Sequence, residues 1–196
     1  MTEVVLFHHV QGLTSGVLAF GDELRGGGHR VHTPDLFEGQ RPRSIEEGLA
    51  LTQAIGDDVL ARRADDAVAG LPDGLVYAGF SMGAGIAQRL AQRREGARGA
   101  LLFEACLPVS GDWAVGAWPA SLPVQVHGMA EDPYFALEGD LDAAREVVAM
   151  VGPSLGQLFV YPGSRHLFTD SSLPSYDEEA TALVVRRALE FLARVA

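Results

Sequence analysis

Three observations on this chain of 196 residues predict an α/β fold, a mostly parallel sheet of about six strands with helices on both faces. Short apolar runs bounded by turn residues alternate with longer amphipathic stretches, as expected when strands buried on both faces are linked by covering helices. The length suits a single domain, 1–196, with a core of useful size. The sequence also lacks internal repeats, low-complexity tracts and any linker-like shift in composition.

Six strands are expected, at Val4–His8, Arg30–Thr33, Leu75–Phe80, Ala100–Glu104, Pro123–His127 and Leu158–Tyr161. Helices are expected over Gly16–Arg25, Ser44–Ala69 with an internal break, Ser81–Gln92, Asp140–Met150 and Tyr176–Val195. Gly26-Gly27-Gly28 stops the first helix, and Pro34-Asp35 turns the chain out of the second strand. In the last helix Leu183, Val184, Ala188, Phe191, Leu192 and Val195 recur at three- and four-residue spacing, which marks one face for burial. Only the crossover after Glu104 has no helix pattern. Its Pro108, Gly111, Gly116 and Pro119 make 106–122 a short lid or an irregular loop.

Charge narrows the range of partners. Fifteen Lys and Arg against 26 Asp and Glu leave a formal net charge of −11. That balance speaks against nucleic acid, whose phosphates require a concentrated basic face, and against docking on anionic lipid. No apolar stretch approaches the length of a membrane span. The start, Met-Thr-Glu-Val-Val-Leu-Phe, has an acidic residue where a signal peptide is basic. The single cysteine, Cys106, has no partner for an internal disulfide. A leaderless, cytoplasmic protein is therefore expected.

The chemistry centres on the third strand, which runs into Gly79-Phe80-Ser81-Met82-Gly83 and then directly into a helix. A sharp strand-to-helix turn projects a serine hydroxyl above the sheet, and glycines at both flanks let the backbone pass without Cβ clashes. Such a serine needs a base, and the base needs a group that fixes its tautomer. Asp132 follows the fifth strand in His127-Gly128-Met129-Ala130-Glu131-Asp132-Pro133, with Glu131 and Glu104 as alternative acids. His166 follows the sixth strand in Gly163-Ser164-Arg165-His166-Leu167-Phe168. Ligands and catalytic groups collect at this strand edge in open parallel sheets.

The remaining histidines have other expected places. His29 and His32 sit on the second strand, away from the nucleophile, and His127 is expected to be half-buried and bonded to its loop. His8 and His9 are expected to shape the pocket. Acyl transfer also needs two oxyanion donors, expected at the backbone N–H groups of Met82 and Val10, with Gln11 as the alternative to Val10. No HExxH, cysteine pair, dinucleotide fingerprint or Walker motif is present, so neither metal nor cofactor is expected. Cys106 reads as a small buried residue.

These residues resemble the dienelactone hydrolase family of α/β hydrolases over almost the whole chain. The likeness includes Pro34-Asp35-Leu36-Phe37, the Gly79–Gly83 elbow, His127-Gly128 leading to Asp132, Gly163–Phe168 around His166, and the closing Ala188-Leu189-Glu190-Phe191-Leu192. It implies a minimal α/β-hydrolase fold, a triad of Ser81, Asp132 and His166, and oxyanion donors at Val10 and Met82. Three departures stand out. The namesake enzymes have a nucleophilic cysteine where Ser81 stands, a glutamate after the first strand where His9 stands, and a carboxylate-binding arginine where Asp170 stands. The expectation is a serine esterase working through an acyl-enzyme on small or medium acyl groups in a shallow pocket, with dienelactone itself disfavoured. His9, Gln11, Trp113, Trp118 and Phe135 are expected around that pocket. Alternatives are a thioesterase, perhydrolase or lyase on the same scaffold, or a non-catalytic ligand-binding relative. The expected partner is a small-molecule ester, with a homodimer as a further expectation.

Overall fold

The computed structural model describes residues 1–111 and 114–196. Its strands are β1 (Glu3–Phe7), β2 (Arg30–His32), β3 (Leu75–Phe80), β4 (Gly99–Phe103), β5 (Val124–Met129) and β6 (Gly156–Tyr161). They form one sheet in the order β2-β1-β3-β4-β5-β6, with every neighbouring pair parallel. The α/β-hydrolase class expected from the sequence is the class observed, a single six-stranded parallel sheet covered by helices.

The helices are α1 (Ser15–Gly26), α2 (Ile45–Ile55), α3 (Asp57–Ala69), α4 (Met82–Arg93), α5 (Asp140–Val151) and α6 (Glu178–Arg194). Strand side chains alternate between two apolar layers. Val4 and Leu6 of β1 pack with Phe20 and Leu24 of α1 and with Val184 and Phe191 of α6. Val5 and Phe7 point the other way, towards Leu60 and Ala64 of α3, Ala84 and Ala87 of α4, and Val147 of α5. Burial on both faces explains why the central strands read as continuous apolar runs rather than alternating ones.

Several boundaries differ from expectation for physical reasons. β1 stops at Phe7 because His8 turns its ring into the loop, donating from Nδ1 to the His9 carbonyl (2.7 Å) and accepting the Leu36 N–H at Nε2 (3.0 Å). The break expected within 44–69 falls at Gly56, whose φ of +87° ends α2 and starts α3. β5 extends two residues beyond His127, and β6 begins two before Leu158, because the two strands pair from Val124 opposite Gly156 to Met129 opposite Tyr161. The described parts of 106–122 contain neither helix nor strand.

Register brings the strand ends into line. Phe7 lies opposite Gly79, Phe80 opposite Phe103, and Phe103 opposite His127. Ser81, Glu104 and the loop carrying Asp132 therefore leave the sheet on the same edge.

Candidate active site

The turn at Ser81 depends on its glycines. A Cβ on Gly79 would lie 2.1 Å from the Gly83 carbonyl oxygen, and one on Gly83 would lie 2.4 Å from that of Phe7. Those contacts let the chain reverse at Ser81, which takes the left-handed φ of +50° uncommon for a side-chain-bearing residue. The Ser81 N–H donates to the Phe103 carbonyl (2.8 Å), tying the turn to β4.

Across this edge the Ser81 hydroxyl lies 2.9 Å from His166 Nε2, and His166 Nδ1 lies 2.8 Å from Asp132 Oδ2. Asp132 is fully buried, and its other oxygen accepts the backbone N–H groups of Tyr134 (2.9 Å) and Phe135 (3.2 Å). With both carboxylate oxygens accepting, and Oδ2 facing His166 Nδ1, the imidazole is held with its proton on Nδ1 and Nε2 open to the serine. Burial alone would lower the His166 pKa, but the Asp132 hydrogen bond and the charges of Glu104, Asp132 and Asp140 outweigh it and raise the value. Of the alternative acids, Glu131 is exposed, and Glu104 is bonded to Thr169 rather than to His166.

The two expected oxyanion donors can be located. Met82 opens α4, so its N–H has no intrahelical acceptor. The Gln11 N–H donates to His9 Nδ1 (3.1 Å), which removes Gln11 as a free donor. Val10 follows His9 in the turn closed by the Gly12 N–H and the His9 carbonyl, and Gly48 of α2 packs directly on the Val10 carbonyl.

Beside Ser81 and His166 opens a cavity of about 660 Å³, within the usual range for small-molecule sites. Met82, Ile86 and Leu60 give it an apolar wall along α3 and α4, and Leu107, Ala114 and Val115 of the 106–122 segment line it as well. Helices as well as the short 106–122 segment build it.

The expected pocket residues mostly lie elsewhere. His9 and Gln11 are buried outside the cavity lining, with His9 Nε2 bonded to Asp170 Oδ2 (2.8 Å). Phe135 is in the core, filling the space left by the missing side chain of Gly128. Trp118 is also a core residue, donating its indole N–H to the Leu122 carbonyl (2.9 Å). Trp113 lies outside the described residues. His8 is buried with its pKa lowered to about 4 by burial, and it too is absent from the lining.

His127 is fully rather than half buried, and its partners are Tyr161 and Gln125 on the strands rather than the loop. Burial lowers its pKa to about 3. Cys106 is a buried thiol whose pKa burial pushes well up. Asp170 is 2 % exposed and faces His9, Thr14 and Ser172, so it does not line the cavity in the place of a substrate-binding arginine.

Tyr134 was not anticipated. Its ring packs against His166 with centroids 4.7 Å apart and lines the cavity. The only local signal was its place two residues beyond Asp132, in the turn that the Asp132 carboxylate caps. Among the described residues no group of three or more His, Cys, Asp and Glu is placed to hold a metal, and no helix is long and apolar enough to cross a membrane.

The sequence profile of the dienelactone hydrolase family matches residues 1–196. Fold, site and profile together define a hydrolase acting on ester bonds. The chain belongs to the dienelactone hydrolase family. It is similar in structure to a dienelactone hydrolase-like promiscuous phosphotriesterase from metagenomic libraries, with 20 % identity, 100 % of this chain and 87 % of that one covered, and a TM-score of 0.77. It is likewise similar to a dienelactone hydrolase candidate from Klebsiella pneumoniae subsp. pneumoniae, at 18 % identity, 99 % and 87 % coverage and a TM-score of 0.75. Thermogutta terrifontis esterase 2 shares 17 % identity over 100 % of this chain and 83 % of that one, with a TM-score of 0.65. At these identities the likeness is one of fold. No curated protein matches the chain.

Proposed function

We propose that this protein is a serine hydrolase that cleaves neutral carboxylic esters of small to medium size through an acyl-enzyme. The reading is carried by the unbroken chain from Ser81 Oγ through His166 to Asp132, at 2.9 and 2.8 Å. Such distances are within reach for proton transfer between nucleophile and base.

In this mechanism His166 Nε2 takes the Ser81 proton as Oγ attacks the ester carbonyl carbon. Asp132 stays ionised and stabilises the imidazolium that results. The backbone N–H groups of Val10 and Met82 receive the negative oxygen of the tetrahedral intermediate. His166 then gives its proton to the departing alkoxide, leaving Ser81 acylated. A water, deprotonated by the same imidazole, attacks the acyl carbon and releases the acid and the free serine.

The preference for neutral substrates is supported by charge placement. Glu104, Glu138 and Asp140 stand on the cavity wall with Tyr134 and His166. Arg89 and Arg93 lie roughly 12 and 18 Å farther along α4 from Ser81, at 1.5 Å of rise per residue. Burial raises the pKa of Glu104 to about 7 and that of Asp140 to about 6, so above neutral pH an anionic dienelactone bound at Ser81 would meet ionised carboxylates first.

Labelling by a fluorophosphonate probe and turnover of 4-nitrophenyl acetate test the reading together. Both are expected in the wild type and absent in folded Ser81→Ala. A folded wild type that neither labels nor turns over the ester would refute it. On paired substrates, a neutral ester is expected to exceed its carboxylate-bearing analogue by at least about 10-fold in kcat/KM, or 1.4 kcal/mol; parity would overturn the charge argument.

A further inference from the structure

We infer that Glu104 is a positioning residue for His166: a second buried carboxylate, anchored by Thr169, that supports the imidazolium formed when His166 takes the Ser81 proton. The inference rests on the serine-hydrolase reading above.

Glu104 leaves β4 at the same sheet edge as Ser81, in a left-handed conformation with φ of +63°. It is 1 % exposed and belongs to the cavity wall that includes Ser81 and His166. One oxygen, Oε1, accepts the Thr169 hydroxyl at 3.1 Å and the Thr169 N–H at 3.4 Å. Thr169 lies three residues after His166, so Glu104 is tied to the segment that presents the imidazole. The other oxygen, Oε2, is buried with no hydrogen-bond partner among the described residues.

An ionised carboxylate left half unsatisfied in the interior is costly, and a purely structural anchor for Thr169 would not require a charge. A charge is useful if its counter-charge appears during the reaction. In the active enzyme His166 starts neutral and becomes positive on taking the Ser81 proton, so attraction from Glu104 grows towards the transition state and contributes to rate, while the same attraction favours the resting imidazolium and holds the acid limb up. Asp132 meets the imidazolium by contact, and Glu104 meets it through space.

The other groups facing His166 are consistent with this division. Ser81 approaches from the β3–α4 turn, Asp132 and Tyr134 from the loop after β5, and Asp140 from α5. Asp140 has a separate bond, accepting the Cys106 N–H at 3.0 Å. Burial pushes the Glu104 pKa up to about 7, with His166 opposing the rise and Asp132 adding to it. Glu104 and His166 should therefore sense each other's protonation.

Glu104→Gln keeps an acceptor for Thr169 and removes the charge. The acid limb of its kcat/KM profile is expected to move to lower pH by about 0.5–1 unit, and the plateau to fall about 10-fold. A limb that stays in place overturns the inference, because an anchor alone would change the plateau without moving the limb. Should that variant not fold, the His166 Cε1–H resonance is followed by NMR against pH in otherwise native protein carrying Asp140→Asn, which removes the other nearby titrating acid. Two inflections are expected, one from His166 and one from Glu104. A single inflection overturns the inference. Since the titration needs no turnover, failure of fluorophosphonate labelling would count against the hydrolase reading while leaving the coupling of Glu104 and His166 decided on its own result.

Discussion

Two buried histidine–carboxylate pairs stand at the same end of this sheet, each at 2.8 Å: His166 with Asp132, and His9 with Asp170. They differ at the second ring nitrogen. In His166 that nitrogen faces the Ser81 hydroxyl, whereas in His9 it accepts the backbone N–H of Gln11. The carboxylates differ as well. Asp132 spends its free oxygen on the turn that follows it, while Asp170 accepts from His9, Thr14 and Ser172 and ties together the loops after β1 and β6. A Cβ on Gly16 would overlap Asp170 Oδ1, so this carboxylate also rests on the N-terminal turn of α1, where the helix dipole favours negative charge. A histidine–aspartate pair becomes a base only when its outer nitrogen is left open; otherwise it is a brace.

Neutralising the acid in each pair breaks this comparison most directly. Asp132→Asn should lower kcat by about 10³–10⁴-fold, because the imidazole loses its correct tautomer and its counter-charge. Asp170→Asn should instead lose about 2–4 kcal/mol of stability through its buried bonds, with kcat of the folded enzyme within about 10-fold of wild type. Steady-state kinetics and denaturant unfolding on both variants check the contrast; equal losses of activity would erase it.

Acidity sharpens it next, since His166 is shifted up and Asp170 down. For His166 the raised pKa means that activity should fall on acidification with a midpoint above pH 6.5, as the base becomes protonated. Its stabilising contribution is full below the unfolded value of about 6.5 and fades as pH rises through the folded one. Burial would raise the Asp170 pKa, but the bonds from His9, Ser172 and Thr14 hold it below the usual carboxylate range. Its stabilisation is present above about pH 3.9 and lost as pH falls through the lower folded value. A pH–rate profile and acid unfolding by circular dichroism should therefore give well-separated midpoints. The smallest effect belongs to Glu131, adjacent to Asp132 in sequence but exposed: Glu131→Gln should change kcat/KM by less than about 2-fold.

The two pairs were unequally legible. The meeting of Ser81, Asp132 and His166 was legible because each signal is local: a glycine-flanked turn between strand and helix, then an acid and a histidine just beyond later strand ends. The brace could not, because His9 and Asp170 are 161 residues apart and nothing near either one announces the other. Phe135 and Trp118 were misplaced for a related reason. A large aromatic near a predicted pocket carries no sign of which way it turns, and here Gly128 leaves a hole that draws Phe135 inward while the Leu122 carbonyl satisfies the Trp118 indole inside the core. The contribution of α3 and α4 to the cavity was not legible, because their shared face is set by tertiary packing.

The contact of Gly83 with the Phe7 and His8 carbonyls has a mechanical meaning. It brings the serine-bearing turn and the end of β1 together without any intervening side chain, so their separation is gauged by backbone alone. Side chains rotate and accommodate; two main chains in contact do not. A shift at the end of β1 would therefore be passed straight to the turn that bears Ser81, with no side chain between them to absorb it.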